Sequence, residues 1–328
     1  MRAIGLTRFG GPEVLQVVNV PEPTPVSGEV RIRVHAAAVN PTDTGLRSGL
    51  TAARFEDRPG PYVPGMDAAG VIDAIGPDTR TSLQVGDAVM AIVLPYGPGG
   101  GAYADLIVVP AQSVVPAPKG ADFPAASTIL MNALTARLAL DDLAIPPGGT
   151  VAVTGAAGAL GGFAIQLARA DGLTVIGDAS STDEVLVSGL GAHEVVRRGD
   201  DIAASIRAVV PEGVDGVVDG ALQHALVLPA IRDSGGLAVV RGWEGPSERG
   251  ITIHPIWVRR AATDLARLTT LGDQADAGVL TARVAAVLPA HQAAEAHRRL
   301  EKGGVRGRIV LDFSDDGVID GAEGDVEE

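Results

Sequence analysis

The sequence predicts a two-domain α/β protein, in which a doubly wound parallel sheet is joined to a β-barrel-type domain. Two observations carry this prediction. From residue 150 onward, apolar strand patterns alternate with helical patterns, as in a parallel sheet with crossover helices. Before residue 122, short strand patterns are separated by Gly-Pro, Pro-Gly and Gly-Asp turns, as in a barrel-like domain.

The first domain is predicted to hold five strands and to be completed by the end of the chain. We expect residues after about 285 to return to it, so that one domain comprises 1–122 and 285–328 and the other 123–284. A ligand cleft would then lie between the domains. The predicted strands are 14–20, 29–39, 68–75, 88–93 and 105–110.

The second domain is predicted to begin with a helix over 123–142, closed by a Pro-Pro-Gly-Gly turn. Its alternating pattern predicts a right-handed parallel sheet. The predicted strands are 150–154, 173–178, 193–196, 214–219, 237–241 and 251–257, and the helices between them are 159–170, 183–190, 200–209 and 222–232. Two further helices at 261–271 and 291–301 and a last strand at 307–313 complete the prediction.

Composition excludes several classes of protein. The 328 residues are 46% hydrophobic and carry a net charge of −14, with seven acidic and no basic residues in a tail from residue 314 that is expected to be solvated. No basic face suggests nucleic acid. The chain has no cysteine, hence no disulfide or thiolate metal site. We see no signal segment and no apolar run of the about 20 residues that a membrane span needs, so we expect a cytoplasmic protein.

The glycine-rich segment after the strand at 150–154 is the strongest functional signal. It reads Ala-x-Gly-x-x-Gly and leads directly into a helix, the arrangement that sets a pyrophosphate on a helix N-terminus. Gly158 would let the backbone approach the phosphates and Gly161 would let the helix pack on the strand. The predicted cofactor-binding residues of this turn are Gly158, Ala159, Leu160 and Gly161; the alternative is a glycine-rich turn without a ligand.

The end of the second strand of this domain leaves the choice of cofactor open. Asp178 favours NAD, because a carboxylate there binds the ribose 2′-hydroxyl. Ser180 and Ser181 favour NADP, because small polar residues leave room for a 2′-phosphate. Asp178 could equally be a helix-capping or turn residue.

Several motifs together resemble one known family. The chain resembles the medium-chain dehydrogenase/reductase superfamily, in its zinc-free quinone oxidoreductase (zeta-crystallin-like) branch. The resemblance covers nearly the whole chain and implies a GroES-like catalytic domain and a Rossmann dinucleotide-binding domain. The motifs include Phe9-Gly10-Gly11-Pro12-Glu13-Val14-Leu15, Asn40-Pro41-Thr42-Asp43, Gly65-Met66-Asp67, Val85-Gly86-Asp87 and Gly304-Val305-Arg306-Gly307.

The resemblance also implies that no metal is bound. Asn40 and Met66 stand where zinc-dependent members have a cysteine and a histidine, and neither is a good zinc ligand. The six histidines show no ligand spacing, and His291 and His297 are expected on a helix surface.

By resemblance, Asn40 and Asp43 are the predicted catalytic residues at the nicotinamide end. Asn40 could donate a hydrogen bond to a developing enolate or hydroquinone oxygen. Asp43 could instead cap the helical turn after Pro41, and Arg47 could pair with Asp43. The chain departs from well-known members where they carry active-site tyrosines, since it has Gly45 and Thr51 there, which would widen the cleft.

The resemblance predicts further cofactor contacts. Arg306 could approach the phosphates or be solvated, and Trp243 could line the cleft or belong to the core. The segment with His254 and Trp257 often joins two subunits in relatives, so we expect a homodimer. The predicted contacts outside the glycine turn and the ribose-reading strand are Asn132, Thr135, Gly220, Arg241, Gly242, Trp243 and Arg306.

These expectations indicate an NADPH-dependent reductase, with NAD as a possible cofactor. Without a metal, hydride transfer suits an acceptor that is already electrophilic, such as a quinone or an α,β-unsaturated carbonyl. Two alternatives stay open: a non-catalytic NADPH-binding redox sensor and an enoyl-thioester reductase.

Overall fold

The computed structural model describes residues 1–55, 58–246 and 248–314, so the predicted solvated tail lies outside the described residues apart from Ser314. A mixed sheet of seven strands forms the first domain, and only its last two strands along the chain pair in parallel. A helix, α1 (Pro41–Ser48), follows the first strand of this sheet. The strands are β3 (Glu29–Ala38), β4 (Asp67–Ile75), β5 (Ala88–Ile92), β6 (Leu106–Pro110), β7 (Val114–Pro116), β14 (Val284–Pro289) and β15 (Arg308–Asp312), beside a separate pair, β1 (Arg2–Gly5) and β2 (Gln16–Asn19).

The second sheet has six parallel strands in the order β10-β9-β8-β11-β12-β13. Its order reverses direction between β8 and β11, which is the switch point of a doubly wound sheet. The strands are β8 (Thr150–Thr154), β9 (Thr174–Ala179), β10 (Glu194–Arg197), β11 (Val214–Asp219), β12 (Ile231–Val239) and β13 (Thr252–Pro255).

Helices cover both faces of the parallel sheet and complete the predicted fold class. Phe163 of α4 (Ala159–Ala170) packs in a cluster on one face, and Ile202 and Ile206 of α6 (Ile202–Val209) pack in a cluster on the other. The two-domain α/β fold, GroES-like and Rossmann-type, is therefore confirmed. The remaining helices are α2 (Phe123–Ala126), α3 (Leu130–Leu143), α4 (Ala159–Ala170), α5 (Glu184–Gly189), α6 (Ile202–Val209), α7 (Leu265–Asp276) and α8 (Ala293–Lys302).

The helix predicted over 222–232 is wrong. The chain makes two short 3₁₀ turns there, and β12 begins at Ile231. The carboxylate of Asp219 accepts hydrogen bonds from the backbone N–H groups of Gln223 (3.0 Å) and His224 (2.8 Å), which turns the chain before a helix can start. Pro229 then lacks the N–H that a helix interior needs.

The helix predicted over 123–142 is interrupted between α2 and α3. Ser127 and Thr128 return their hydroxyls to the carbonyls of Pro124 and Ala125, which competes with a continuous helix. The whole stretch Phe123–Leu143 is long and apolar enough to cross a membrane by length and composition, which the sequence reading did not anticipate. Of its apolar 18-residue window, 72% is buried inside the protein, as expected of a core helix.

The buried carboxylate of Asp43 connects the N-terminus of α1 to other parts of the first domain through hydrogen bonds. Asp43 accepts hydrogen bonds from the N–H groups of Asn40 (2.8 Å) and Gly65 (3.1 Å) and from the Tyr103 hydroxyl (3.0 Å). Burial raises the pKa of Asp43 to about 7, although these hydrogen bonds lower it. Asp43 therefore has the capping role that its position after Pro41 allowed.

Two sequence expectations around this carboxylate are wrong. His297 is fully buried rather than on a helix surface, with its Nε2 3.4 Å from the Tyr103 hydroxyl. Arg47 pairs with Glu301 of α8, at 2.5 Å, and not with Asp43. Both differences arise because α8 packs against α1 from far along the sequence.

The raised pKa of Asp43 predicts a pH-dependent stability. The folded state holds this proton more tightly than the unfolded state, whose pKa is near 3.8, so the contribution of Asp43 to stability falls as the pH rises from about 4 to about 7. Asp43→Asn removes the titration. We expect denaturant unfolding at several pH values to show a shallower loss of stability with pH in this variant, by a few kcal/mol across the range, since one pKa unit corresponds to about 1.4 kcal/mol.

Asp200→Asn, at an exposed carboxylate, provides the matched control and should keep the wild-type pH dependence. Identical pH slopes for Asp43→Asn and the wild type would contradict the raised pKa.

Candidate active site

One large cavity, of about 1470 Å³, lies between the two sheets in the described part of the chain. The first domain contributes Asn40 and Met66 to its wall, and the second contributes Gly155 and Gly220 at the carboxyl ends of β8 and β11. These two strands flank the switch point of the parallel sheet, where ligands of doubly wound folds bind. The cavity is therefore the candidate active site.

The glycine turn forms one wall of this cavity and ends at the N-terminus of α4. Gly155 has a φ of +66°, and Gly158 is the N-cap residue directly before the helix. A Cβ on Gly161 would lie 2.3 Å from the carbonyl oxygen of Gly155, so this position needs glycine for the helix to pack on the turn. At Gly158 a Cβ would lie 3.0 Å from the Gly155 carbonyl oxygen, a tight contact, and no other atom is found within 4 Å of it, so the rest of the space over this residue is free for a ligand.

The turn is held from outside the sheet by an arginine that the sequence reading missed. Arg283 donates to the carbonyl oxygens of Ala157 (3.0 Å) and Gly158 (2.6 Å). These bonds satisfy two carbonyl groups at the N-terminus of α4, where the first helix N–H groups have no partner within the helix, and such an end suits an anion. The residues present fit the pyrophosphate of a dinucleotide.

The cavity wall collects about half of the predicted site residues. Gly242, Trp243 and Asp43 are not among the residues that line it. Trp243 instead packs against the His224 ring, at 4.9 Å, beside the core cluster on one face of the sheet, and Trp257 lines the cavity in its place. The predicted residues that do line it are Asn40, Asn132, Thr135, Gly158, Ala159, Leu160, Gly161, Gly220 and Arg241.

The residues proposed to read the ribose lie next to the cavity rather than in its wall. Asp178 is buried and accepts a hydrogen bond from the Ala156 N–H of the glycine turn at 2.9 Å. Burial raises its pKa. The Asp178 carboxylate thus stabilises the glycine turn through this hydrogen bond. The contact explains the position of Asp178 better than a helix-capping role does.

Ser180 and Arg306 meet on one carboxylate. The Ser180 hydroxyl donates to Asp183 at 2.5 Å, and Arg306 donates to both oxygens of Asp183 at 2.6 Å. The Arg306 guanidinium lowers the pKa of Asp183 to about 2. Arg306 is therefore ion-paired, which neither of its predicted roles included. Ser181 is exposed, and no hydrogen bond of its side chain is described.

Arg198 is a second arginine that the sequence reading missed. It follows β10, and its N–H donates to the carbonyl of Ala179 at 2.9 Å, at the end of the strand that carries Asp178. Its charge contributes to lowering the pKa values of both Asp178 and Asp183. A sequence signal was present, since an arginine directly after the strand beside the ribose-reading strand can accept a 2′-phosphate.

Asn40 does not offer the donor that was predicted for it. Its side-chain nitrogen donates to Asp67 at 2.9 Å and to the Ala38 carbonyl at 3.3 Å, which engages both of its hydrogens. Asp67 also accepts from the Met131 N–H at 3.0 Å, and burial raises its pKa to about 6. The amide of Asn40 is thus committed to the protein interior.

The opposite charge in this region is Arg308 of β15. Arg308 is buried, lines the cavity, and donates to the side-chain oxygen of Asn132 and to the Val39 carbonyl, the latter at 3.4 Å. The attraction of the Arg308 charge lowers the pKa of Asp67, opposing the effect of burial. Sequence reasoning missed Arg308 because nothing local marks a buried arginine in an apolar strand.

The described residues around Asn40 and Met66 provide no set of metal ligands. Within residues 1–55, 58–246 and 248–314, no group of three or more His, Cys, Asp or Glu side chains is arranged to hold a metal ion. The Met66 sulfur accepts a hydrogen bond from the Thr42 hydroxyl at 2.9 Å. Gly45 and Thr51, which stand where tyrosines were expected, both line the cavity.

Comparisons with known proteins agree with this geometry. Residues 26–119 match the family model described as alcohol dehydrogenase GroES-like domain, and residues 190–311 match the model described as zinc-binding dehydrogenase. The quinone oxidoreductase of Mus musculus is 32% identical over 336 residues, covering 95% of this chain and 97% of the mouse protein.

Two solved structures share the fold over 95% of this chain. One, a mycobacterial protein in complex with NADPH, is 28% identical with a TM-score of 0.84 and is covered over 100% of its length. The other, an NAD-dependent alcohol dehydrogenase, is 32% identical with a TM-score of 0.82 and is covered over 99%. With these relatives and this fold, the chain belongs to the medium-chain dehydrogenase/reductase superfamily, in its quinone oxidoreductase branch, and is a nicotinamide-dependent oxidoreductase.

Proposed function

We propose that this protein is an NADPH-dependent reductase that delivers hydride to a quinone or an α,β-unsaturated carbonyl without a metal ion. The observation that carries the proposal is the glycine turn, which opens at the N-terminus of α4 into the cavity between the domains. The bound cofactor would supply the hydride. The protein would hold its phosphates on the turn, orient the reacting ring between the domains and exclude water.

The cavity wall supports an acceptor that needs no Lewis acid. Asn40 and Met66 stand at the positions of the catalytic zinc ligands of relatives, and both are engaged by neighbouring side chains, Asp67 and Thr42. Leu94, Ile92 and Tyr96 add apolar surface to the same wall. A flat, conjugated acceptor suits such a cleft, because its carbonyl groups already make it electrophilic.

The preference for NADPH over NADH is supported by two charges beside the cavity. Asp178 faces the glycine turn, so its carboxylate does not compete with a 2′-phosphate for the ribose. Arg198 follows the neighbouring strand and is exposed, where it could receive that phosphate. A cytoplasmic homodimer, with β13 at the edge of the parallel sheet joining two copies, stays a prediction.

The first test is turnover by the purified protein. We expect NADPH oxidation, followed at its absorbance, to depend on added quinones or enones and to persist after treatment with a metal chelator. A protein that binds NADPH but consumes none of it with the whole panel would support the redox-sensor alternative. Turnover only with enoyl-thioesters would support the enoyl reductase alternative.

The glycine turn provides a second prediction with a matched pair of variants. In Gly158→Val the added side chain would occupy the open space over the turn, so we expect NADPH affinity to fall by about 10-fold or more, as for the loss of charge-assisted hydrogen bonds. Some loss of thermal stability is also expected in Gly158→Val, because the Cβ would lie 3.0 Å from the Gly155 carbonyl oxygen. Gly161→Val should destabilise the fold more strongly, because its Cβ would lie only 2.3 Å from the same oxygen. Unchanged NADPH affinity in Gly158→Val, measured by titration calorimetry, would remove the turn from the cofactor site.

A third prediction concerns cofactor choice. Arg198→Ala should weaken NADPH binding by about 10-fold to 100-fold and leave NADH binding nearly unchanged, because only NADPH carries the 2′-phosphate. Arg197→Ala is the matched control, since this neighbouring arginine has no described interaction with Asp178 or Asp183. Equal losses for both cofactors would contradict the assignment of Arg198 to the phosphate.

A further inference from the structure

We propose that Asn132 donates a hydrogen bond from its side-chain nitrogen to a carbonyl oxygen bound in the cleft, and that Arg308 is the positioning residue that fixes this orientation. The inference rests on the proposed function for the identity of the carbonyl compound. The carbonyl oxygen belongs to the nicotinamide carboxamide or to the acceptor substrate, and the experiment below distinguishes the two.

The first step of the argument is the orientation of the Asn132 amide. A guanidinium group only donates hydrogen bonds. Because Arg308 donates to Asn132, the side-chain oxygen of Asn132 must face the guanidinium. The NH₂ group is then directed away from Arg308. An amide flip would place two donors against each other in a buried site, so the orientation is determined by chemistry.

The second step is that this NH₂ group has no acceptor in the protein. The Asn132 side-chain nitrogen is buried and lacks a hydrogen-bond partner among the described residues, and Asn132 itself is only 3% exposed. The Nε of Arg308 is also buried and unpaired. Both residues line the cavity. The two unpaired nitrogen atoms lie just beneath the cavity surface, on residues of its wall, so an acceptor in a ligand is the partner that could satisfy them.

The third step is that the neighbouring polar groups are already engaged. The Asn40 side-chain nitrogen donates to Asp67 and Ala38, and the Thr135 hydroxyl donates to the Met131 carbonyl at 2.6 Å. Thr51, which also has an unpaired buried hydroxyl in the cavity wall, follows α1 in the first domain and is not bonded to this group. The donor role that the sequence suggested for Asn40 therefore falls to Asn132.

The fourth step concerns the charge behind the amide. Arg308 is a buried cation, and its hydrogen bond to the Asn132 oxygen polarises the amide so that the NH₂ group becomes a stronger donor. As hydride adds to a quinone or an enone, negative charge develops on the carbonyl oxygen. A donor fixed in place and backed by a cation stabilises that charge without reorganising. The same donor would anchor a carboxamide group.

The test compares Asn132→Asp, Arg308→Met and Arg308→Lys with the wild type. Asn132→Asp keeps an oxygen for Arg308 and nearly the same volume but replaces the donor. We would measure the Kd for NADPH and for its thionicotinamide analogue, whose sulfur is a weaker hydrogen-bond acceptor than the carboxamide oxygen. We would also measure the single-turnover rate of NADPH oxidation with a quinone, at saturating NADPH. Thermal unfolding reports on folding of each variant.

We expect Asn132→Asp to change one of these two quantities by about 10-fold to 100-fold, the cost of losing a hydrogen bond to a charged or strongly polarised group. A bond to the nicotinamide carboxamide weakens NADPH binding and abolishes the wild-type preference for NADPH over its thio analogue. A bond to the substrate slows the single-turnover rate at unchanged Kd. Arg308→Met should change the same quantity as Asn132→Asp, and Arg308→Lys should restore part of it.

Changes of less than about two-fold in both quantities for a folded Asn132→Asp would overturn the proposal, since that is below the loss of one net hydrogen bond. An effect of Arg308→Met on the other quantity would overturn the positioning role. Failure of the proposed function is separate, because it would appear as absent turnover in the wild type. The Asn132 proposal would then stand or fall on the cofactor affinities alone.

Discussion

The junction between the two domains depends on one buried pair of opposite charges, Asp67 and Arg308, acting on the start of α3. Asp67 accepts the Met131 N–H, and Arg308 donates to the side chain of Asn132. A carboxylate near a helix N-terminus satisfies an otherwise unpaired N–H and interacts favourably with the helix dipole. Because α3 packs on α4, and α4 begins at the glycine turn, these two contacts set the position of the turn relative to the first domain.

Burying these two charged side chains costs desolvation free energy, so their position between the domains calls for an explanation. Burying an aspartate and an arginine removes both from water, and an apolar pair of similar volume would often be as stable. The raised pKa of Asp67 reflects that desolvation. The charges are arranged so that every oxygen of Asp67 has a donor, whereas Asn132 and Arg308 keep unpaired donors at the cavity. These two unpaired donors therefore belong to residues that line the cavity where a ligand would lie.

The fold could be predicted from the sequence because its helices and strands are specified by local sequence patterns. The helix at Ala159–Ala170 and the strands Thr150–Thr154 and Val214–Asp219 match the predicted bounds, since apolar periodicity and glycine turns act over a few residues. The helix predicted over 222–232 failed because the Asp219 carboxylate captures the backbone N–H groups that a helix would use. A side chain that reaches back to the backbone is a tertiary detail that periodicity does not contain.

The site was predicted less well for a related reason. The glycine turn is local and was found, whereas Arg283 and Arg308 reach the site from distant segments that carry no motif. Arg198 directly follows a strand, and that signal was overlooked. The motif at Asn40 and Asp43 was interpreted through chemistry that a single sequence cannot locate. Its amide and carboxylate bind Asp67, Gly65 and Tyr103, so the motif builds the wall of the cleft. A residue type suited to catalysis is equally suited to satisfying buried backbone groups, and only its hydrogen-bond partners distinguish the two roles.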